Sequence, residues 1–283
     1  MSIVINHLTF AYTQGGKRLE PTLKDLSFTI EEGSFLGIIG HTGSGKSTFA
    51  KHLNGLLSSE KGTVLVDGHD VAIKYERKIV RTLVGMVFQY PEYQLFAETV
   101  FDDVAFGPRN MKLEENEIKS RVTDAMRLVG LDPDRFSSRS PFDLSGGERR
   151  RAAIAGVLAM HPKYLVLDEP MAGLDPLGRS EILSLLEKLR TESGCTIIMI
   201  SHSMDDIAKH ATKVLVLEQG TVFLYDTPQA VFSHAEALQK IGLSVPSITH
   251  ICIEMNRCGV DIPRTICTES AFMDWIREGK QHA

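Results

Sequence analysis

No run of about 18 consecutive apolar residues occurs in the chain, so nothing in it reads as a membrane span. The start Met1-Ser2-Ile3-Val4-Ile5-Asn6 has neither the basic opening nor the long apolar stretch of a secretory signal. Positive charge is not in surplus. The 31 Lys and Arg stand against 36 Asp and Glu, a net charge of −5, which removes the usual electrostatic case for a nucleic-acid partner. The four cysteines, Cys195, Cys252, Cys258 and Cys267, form no C-x-x-C pair, so reduced packing thiols in the cytosol are expected. What remains is an ordinary globular profile, 43% hydrophobic and 24% charged. At 283 residues the chain exceeds what one compact core usually holds, which predicts a large domain with a small appendage.

The most informative stretch is Gly40-His41-Thr42-Gly43-Ser44-Gly45-Lys46-Ser47, with Thr48 beside it. The apolar run Phe35–Ile39 before it reads as a buried strand and Phe49–Leu53 after it as a helix. The spacing G-x-x-x-x-G-K-[ST] between strand and helix is that of a phosphate-binding loop, the Walker A motif. Glycines let backbone N–H groups turn inward around phosphate oxygens, and the helix start aims its positive dipole end at the same point. Lys46 supplies a point charge for the β- and γ-phosphates, and the Ser47 hydroxyl can ligate Mg²⁺. A Gly/Ser-rich turn that merely fits the spacing would not need a strand before it, a helix after it and Lys-Ser in place.

Tyr164-Leu165-Val166-Leu167-Asp168-Glu169-Pro170 is an apolar strand ending in two carboxylates, a Walker B pattern. Asp168 is assigned to Mg²⁺, and Glu169 to orienting or polarising the attacking water. Two acids at a buried strand end are costly unless a cation sits there. The strand Val84–Phe88 ends at Gln89, an amide that can touch Mg²⁺ or a water. Thr196–Ile200 ends at Ser201-His202, which a parallel sheet would set beside the Walker B strand within reach of a γ-phosphate. Leu144-Ser145-Gly146-Gly147-Glu148 opens another helix, with Ser145 as N-cap and glycines exposing N–H groups, a second anion site. The following Arg149, Arg150 and Arg151 point in different directions around that helix and read as a mixture of ion pairs and solvent contacts. Tyr12 lies ahead of the phosphate loop on the first strand. Its ring could stack on a base, or be simply a half-buried strand tyrosine.

For the rest of the chain, Leu26–Ile30, Thr63–Val66 and the hairpin Val214–Leu217 with Thr221–Tyr225 read as strands, and residues 99–129 as helical. Leu174-Asp175-Pro176 opens a helix that runs to about Glu192, with Pro at its first turn. Beyond Phe232 the sheet alternation stops. Short amphipathic pieces follow, including a capped helix from Thr268 carrying Phe272, Trp275 and Ile276, and their apolar content suggests a partner or self-association surface.

In this order, the phosphate loop, Gln89, the Leu144–Glu148 motif, the Walker B strand with Glu169, Leu174-Asp175 and His202 resemble the nucleotide-binding subunit of ATP-binding cassette (ABC) transporters over residues 1–232. The resemblance implies an α/β P-loop fold: a mixed sheet with an N-terminal antiparallel β-subdomain, a helical signature subdomain at about 96–160, and a C-terminal extension at 233–283. It implies ATP and Mg²⁺ as ligands. Lys46, Glu169 and His202 would be catalytic. Tyr12, residues 40–48 and Gln89 would bind ATP, with Tyr12 stacking on adenine, and Ser47, Gln89 and Asp168 would face the metal. Leu144, Ser145, Gly146, Gly147 and Glu148 would serve a second subunit's ATP, with Asp175 at the contact between subunits. Two departures are mild: Glu148 stands where Gln is commoner, and Met171 where many members carry Thr or Ser.

Within that family, Gly40-His41-Thr42-Gly43, Phe88–Phe96, Phe106-Gly107-Pro108, Ala153–Met160 and Ile241–Pro246 are similar to the energy-coupling factor transporters, in particular their second, A-prime ATPase. Membership implies vitamin or metal uptake, with this subunit peripheral on the cytoplasmic face of the cell membrane. It also implies a paired ATPase subunit, a membrane T component, a substrate-binding S component reached indirectly, and a C-terminal extension that helps hold the ATPase pair. The T component is expected to dock on Glu92–Gly107. There Tyr90, Tyr93, Leu95 and Phe96 form an apolar groove rimmed by Glu92, Glu98, Asp102 and Asp103. Cobalt or nickel uptake ATPases are the near alternative. ABC ATPases acting on DNA fit less well, because the roughly one hundred residues between phosphate loop and signature hold no sustained heptads. Ribosome-acting members usually carry two cassettes, and a nucleotide-sensing module would lack the water-positioning acid.

Overall fold

The computed structural model describes residues 1–58 and 60–281. The N-terminal part is antiparallel: β1 (Ser2–Phe10), the hairpin β2 (Thr13–Gln14) and β3 (Lys17–Arg18), and β4 (Leu23–Glu31). β1 buries Ile3 and Ile5 at the period of a half-buried strand, and Leu8 after a register shift at His7. After β5 (Phe35–Ile39) and α1 (Lys46–Leu53), β6 (Val64–Val66) and β7 (His69–Asp70) complete a sheet ordered β4-β1-β6-β7.

The second sheet places β5 at its centre. α2 (Lys74–Leu83) leads into β8 (Val84–Val87). Further along come β9 (Tyr164–Asp168), α7 (Pro176–Ser193), β10 (Thr196–Ile200), α8 (Met204–His210), β11 (Lys213–Glu218) and β12 (Thr221–Asp226). The strand order is β12-β11-β5-β10-β9-β8, parallel except for the β11–β12 hairpin. β5, β9 and β10 are buried throughout, as parallel strands covered on both faces must be. β5 divides its side chains between two cores. Leu36 and Ile38 face the antiparallel sheet and α1, while Phe35 and Ile39 face the helices on the other side. The carboxyl ends of β5, β10, β9 and β8 therefore line one edge, where ligands bind in open parallel sheets.

Between β8 and β9 lie α3 (Val100–Asn110), α4 (Glu115–Leu128), α5 (Pro133–Phe136) and α6 (Gly146–Leu158). The stretch read as helical over 99–129 is two helices. Pro108 takes a donor out of the end of α3, and Lys112 adopts a left-handed φ of 60°, so the chain turns before α4. α3 packs closely on the end of α6, since a Cβ at Gly107 would lie 2.6 Å from Met160 Cγ.

After β12 come α9 (Pro228–Ser233), α10 (Ala235–Lys240), α11 (Ser247–Arg257) and α12 (Glu269–Gln281). Thr268 caps α12 by accepting from Ala271 N at 3.3 Å. Ile248, Cys252, Ile262 and Ile266 make a small core against Phe272 and Trp275. The segment is not independent of the main body. Leu238, Leu243, Val245 and Cys267 belong to the large core, and Ser247 donates to Asp205 through both its backbone N and its hydroxyl.

Candidate nucleotide site

The loop from Gly40 to Gly45 has a shape that only glycine allows at two points. Gly40 has φ +156°, and a Cβ there would lie 2.4 Å from Leu217 O and 2.5 Å from Ser44 Oγ. Gly45 has φ +102°, and a Cβ would press on Leu23 and Thr22. The loop is braced from outside: Gly220 N, in the β11–β12 turn, donates to Ser44 O at 3.2 Å. Lys46, buried, reaches back over the loop and donates to Gly40 O at 2.7 Å and His41 O at 2.9 Å. Burial pushes its pKa down, and the carboxylates of Glu169 and Asp168 oppose that. Ser44 Oγ is buried without a hydrogen-bond partner, packed against Gly40.

Asp168 ends β9, buried, with its pKa raised by burial while the Ser47 hydroxyl hydrogen-bonds it and pulls the other way. The chain then breaks sharply, with Glu169 at a left-handed φ of 51°. A non-glycine residue held there costs on the order of 1 kcal/mol and needs surrounding structure to impose it. Here Glu169 N donates to Ile200 O at 3.1 Å, and Ala172 N closes a turn on Glu169 O at 3.2 Å. The carboxylate is gripped on both oxygens. Gln89 Nε2 donates to Oε2 at 3.0 Å, and His202 Nε2 lies 2.8 Å from Oε1, so the ring N–H donates to it. Tyr90, just after Gln89, is also left-handed at φ 56°. The ends of β8, β9 and β10 thus deliver Gln89, Glu169 and His202 to one point beside the phosphate loop.

Tyr12 stands over the start of α1, its hydroxyl 3.1 Å from Thr48 Oγ1, its ring edge-on to Phe10 and partly open to solvent. The Leu144–Glu148 segment is elsewhere. Among the described residues no hydrogen bond joins it to residues 40–48. Leu144 is buried and anchors it. Ser145 and Glu148 form a reciprocal capping box: Ser145 N donates to Glu148 Oε2 at 2.8 Å, and Glu148 N donates to Ser145 Oγ at 3.3 Å. A Cβ at Gly146 would meet nothing within 4 Å, and one at Gly147 would meet only Arg151 Nη1 at 3.9 Å. Asp175 caps α7, accepting from Gly178 N at 2.8 Å, and is exposed.

The segment after Gln89 differs from its expected form. Its aromatics do stand out: Tyr93 is 84% exposed and Phe96 61%, and Tyr90 and Phe106 are also open. The rim of free acids does not hold, because three of the four are used inside the chain. Glu92 is paired with Arg150. Asp103 is buried and accepts from Phe96 N and Ala97 N, with its pKa raised by burial against those bonds. Asp102 pairs with Arg109 at 2.9 Å. Only Glu98 of the four stands exposed without such a tie among the described residues.

Arg150 is what sequence reading missed. It makes one of the expected ion pairs, but as a buried side chain, with Arg151 beside it pairing loosely with Glu181 at 3.8 Å. The signal was available: Arg150, Ile154 and Leu158 share one helix face at a spacing of four, and all three are buried. Arg179, in a second unforeseen pair with Asp206 at 2.8 Å, lines the cleft beside Glu169 and His202.

The profile of the ABC transporter family matches residues 23–172, from β4 through the turn after Glu169. The chain is 48% identical over 283 residues to the energy-coupling factor transporter ATP-binding protein EcfA2 of Caldanaerobacter subterraneus subsp. tengcongensis, covering all of this chain and 96% of that protein. It is 49% identical over 279 residues to the EcfA2 of Clostridium perfringens, covering 98% of each. The chain belongs to the energy-coupling factor branch of the ABC transporter ATP-binding proteins. Solved structures agree. cbiO1 of Clostridium perfringens, part of the ABC transporter complex cbiONQ, superposes with a TM-score of 0.73 at 38% identity over 88% of this chain and 98% of that one. The ATP-binding cassette MJ0796, solved as a dimer in a post-hydrolysis state with ADP and Pi, gives 0.70 at 28% identity over 80% and 98%. As a member, this chain is an ATP-binding, ATP-hydrolysing transporter subunit. The family resemblance to the second ATPase agrees with the name its relatives carry.

Proposed function

We propose that this chain powers micronutrient uptake by hydrolysing ATP in a sandwich with a second ATPase subunit. The observation that carries the catalytic half is the double grip on Glu169. A carboxylate held on one oxygen by Gln89 and on the other by His202 has one orientation, which is what positioning a water for in-line attack requires. Lys46 holds the β- and γ-phosphates, residues 40–48 supply the backbone cradle, and Tyr12 stacks on the adenine. His202 contacts the γ-phosphate and keeps Glu169 turned toward it.

Mg²⁺ fits the donors present. Ser47 and Asp168 are hard oxygen ligands already in contact, with the Gln89 amide nearby, and Mg²⁺ usually takes one or two protein oxygens plus substrate phosphates and water. When bound it would neutralise charge on the transferring phosphoryl group. Gly146 and Gly147 offer backbone N–H donors that no hydrogen bond among the described residues uses, and with the Ser145 hydroxyl beside them they suit the γ-phosphate of the partner subunit's ATP, with Asp175 at the shared contact. The partner is a paralogous ATPase, the C-terminal extension helps hold the pair, and a membrane T component docks on the apolar groove of Tyr90, Tyr93, Phe96 and Phe106. The S component is reached indirectly. No helix among the described residues is long and apolar enough to cross a membrane. In this reading the subunit sits peripherally on the cytoplasmic face, held through that groove. Vitamins are the substrate class we favour.

The test is Glu169→Gln in the assembled transporter. ATP binding should persist while hydrolysis falls by about two orders of magnitude or more. Turnover near the wild-type rate would remove Glu169 from its role. Lys46→Ala should weaken nucleotide binding instead.

A further inference from the structure

Arg150 sits on α6 one turn in from Ser145, nearly fully buried. Its guanidinium divides between two segments. Nε donates to Glu92 Oε2 at 3.2 Å and Nη2 to Glu92 Oε1 at 3.3 Å, a side-on bidentate pair with the turn that follows Gln89. Nη1 donates to Ala172 O at 2.7 Å, in the loop that follows Glu169. Those two segments already meet at the other end, where Gln89 donates to Glu169. Ala172 N bonds back to Glu169 O. The contacts close a ring: Glu169, Gln89, Glu92, Arg150, Ala172 and Glu169 again.

We propose that Arg150 is the positioning residue that ties the signature helix to the loop carrying Glu169. The inference rests on the reading that Glu169 orients the attacking water and that Ser145–Gly147 faces the partner's nucleotide. Given that reading, the ring has a mechanical consequence. The start of α6 cannot shift along its axis without moving either the Gln89 turn or the Glu169 loop, because a planar guanidinium holding a carboxylate edge-on and a carbonyl on its third nitrogen has no slack. Engagement of the signature motif by the partner's ATP is thereby transmitted to the aim of Glu169 in this chain's own site. An arginine is required. A lysine ammonium is a point charge that reaches Glu92 or Ala172 without fixing the angle between them.

The experiment uses the intact transporter assembly with three versions of this subunit, Arg150→Lys, Arg150→Met and the double Arg150→Met/Glu92→Met. Three quantities are read on each: kcat for ATP, Kd for a fluorescently labelled ATP, and the thermal midpoint. The double variant replaces a buried ion pair by two apolar side chains, a change that preserves folding in other proteins where removing one partner does not. It separates positioning from stability. We expect kcat to fall roughly 10- to 100-fold in Arg150→Met and to stay low in the double variant although its thermal midpoint recovers, with Kd within about twofold throughout. Arg150→Lys should be intermediate in kcat. The proposal is overturned if the double variant regains normal kcat along with its midpoint, if Arg150→Lys and the double variant both fail to fold, or if the variants lose activity only because they leave the assembly. Glu169→Gln run alongside keeps the two readings apart. Normal turnover there refutes the role of Glu169, whereas a dead Glu169→Gln beside fully active Arg150 variants refutes only the relay.

Discussion

The two glycine-rich helix starts of this chain, the phosphate loop and the start of α6, are built on opposite terms. The loop is enclosed. Gly40 and Gly45 are dictated by neighbours that leave no room for a Cβ and Gly43 by a left-handed φ of +83°, its lysine is buried, and its far side is braced by the β11–β12 turn. The start of α6 is open. Ser145 and Gly146 are exposed, and no packing within the chain explains either glycine. A glycine justified from inside holds a shape, while one with no internal justification points to something that approaches from outside. The surface from Tyr90 to Phe106 is open in a third way: its apolar side chains Tyr93 and Phe96 stand in solvent while Glu92 and Asp103 are tied inside the chain.

The largest effect should come from blocking the open end. Ser145→Arg puts a long cation where the backbone donors of Gly146 and Gly147 face out. It should reduce hydrolysis in the assembled pair about a hundredfold, the scale of losing an electrostatic stabiliser of the transition state. ATP affinity at this chain's own loop should be unchanged in an equilibrium titration. A variant that loses affinity for its own nucleotide would break the separation of the two ends.

Two alanines sharpen it. Gly40→Ala forces a Cβ against a backbone carbonyl in a left-handed conformation and should cost about 2–4 kcal/mol in chemical denaturation. Gly146→Ala meets nothing, lies in the first turn of a helix, and should leave stability unchanged or raise it by about 0.5 kcal/mol. Its hydrolysis in the assembled pair should nevertheless drop. If Gly146→Ala is fully active, the open glycine has no external reason and the comparison fails.

How far this was legible in the sequence follows from the same contrast. Strand ends and the loop were readable because each motif is local: apolar run, turn, functional residue, helix. A parallel sheet then gathers Gln89, Glu169 and His202 without further information, since all three follow the carboxyl ends of neighbouring strands. What was not readable depends on contacts between distant residues. Glu92 and Arg150 lie 58 positions apart, and nothing local to Glu92 distinguishes a paired acid from a solvated one. Asp103 looked like the partner of Asp102 on an exposed helix start. Its burial depends on the chain from Phe96 to Ala97 folding back over it. The turn between α3 and α4 was hidden because both helices share an apolar period, and Pro108 was the clue.

These corrections change how the groove should be tested. Reversing Glu92 or Asp103 would strike internal bonds and damage the fold, so the informative change is on the aromatics. Tyr93→Asp with Phe96→Asp removes apolar surface that the chain itself does not bury. It should weaken association with the membrane component about tenfold or more, leaving ATP affinity and thermal midpoint near wild type. Co-purification at wild-type yield would put the docking surface elsewhere.

The smallest effect concerns the internal order of the open end. Glu148 closes the capping box, and its pKa is held below the usual carboxylate range by the backbone N–H of Ser145, then by the Ser145 hydroxyl and the nearby Arg139 and Arg151, against a small opposing effect of burial. A lowered folded pKa means a contribution that is complete above the ordinary carboxylate value and lost as pH falls through the folded one. Glu148→Gln keeps a side-chain acceptor for Ser145 N but removes the charge near the helix N-terminus, so it should cost about 0.3–0.5 kcal/mol at pH 7. That difference should shrink toward zero as the pH is lowered through the carboxylate range, and it should also fade at high salt, because the group is open to solvent and screened. The phosphate loop, whose cation is buried, gives no reason for such salt sensitivity. A Glu148→Gln penalty that is independent of both pH and salt would mean that the start of α6 is held by packing, as the loop is, and the two ends would then be more alike than their glycines suggest.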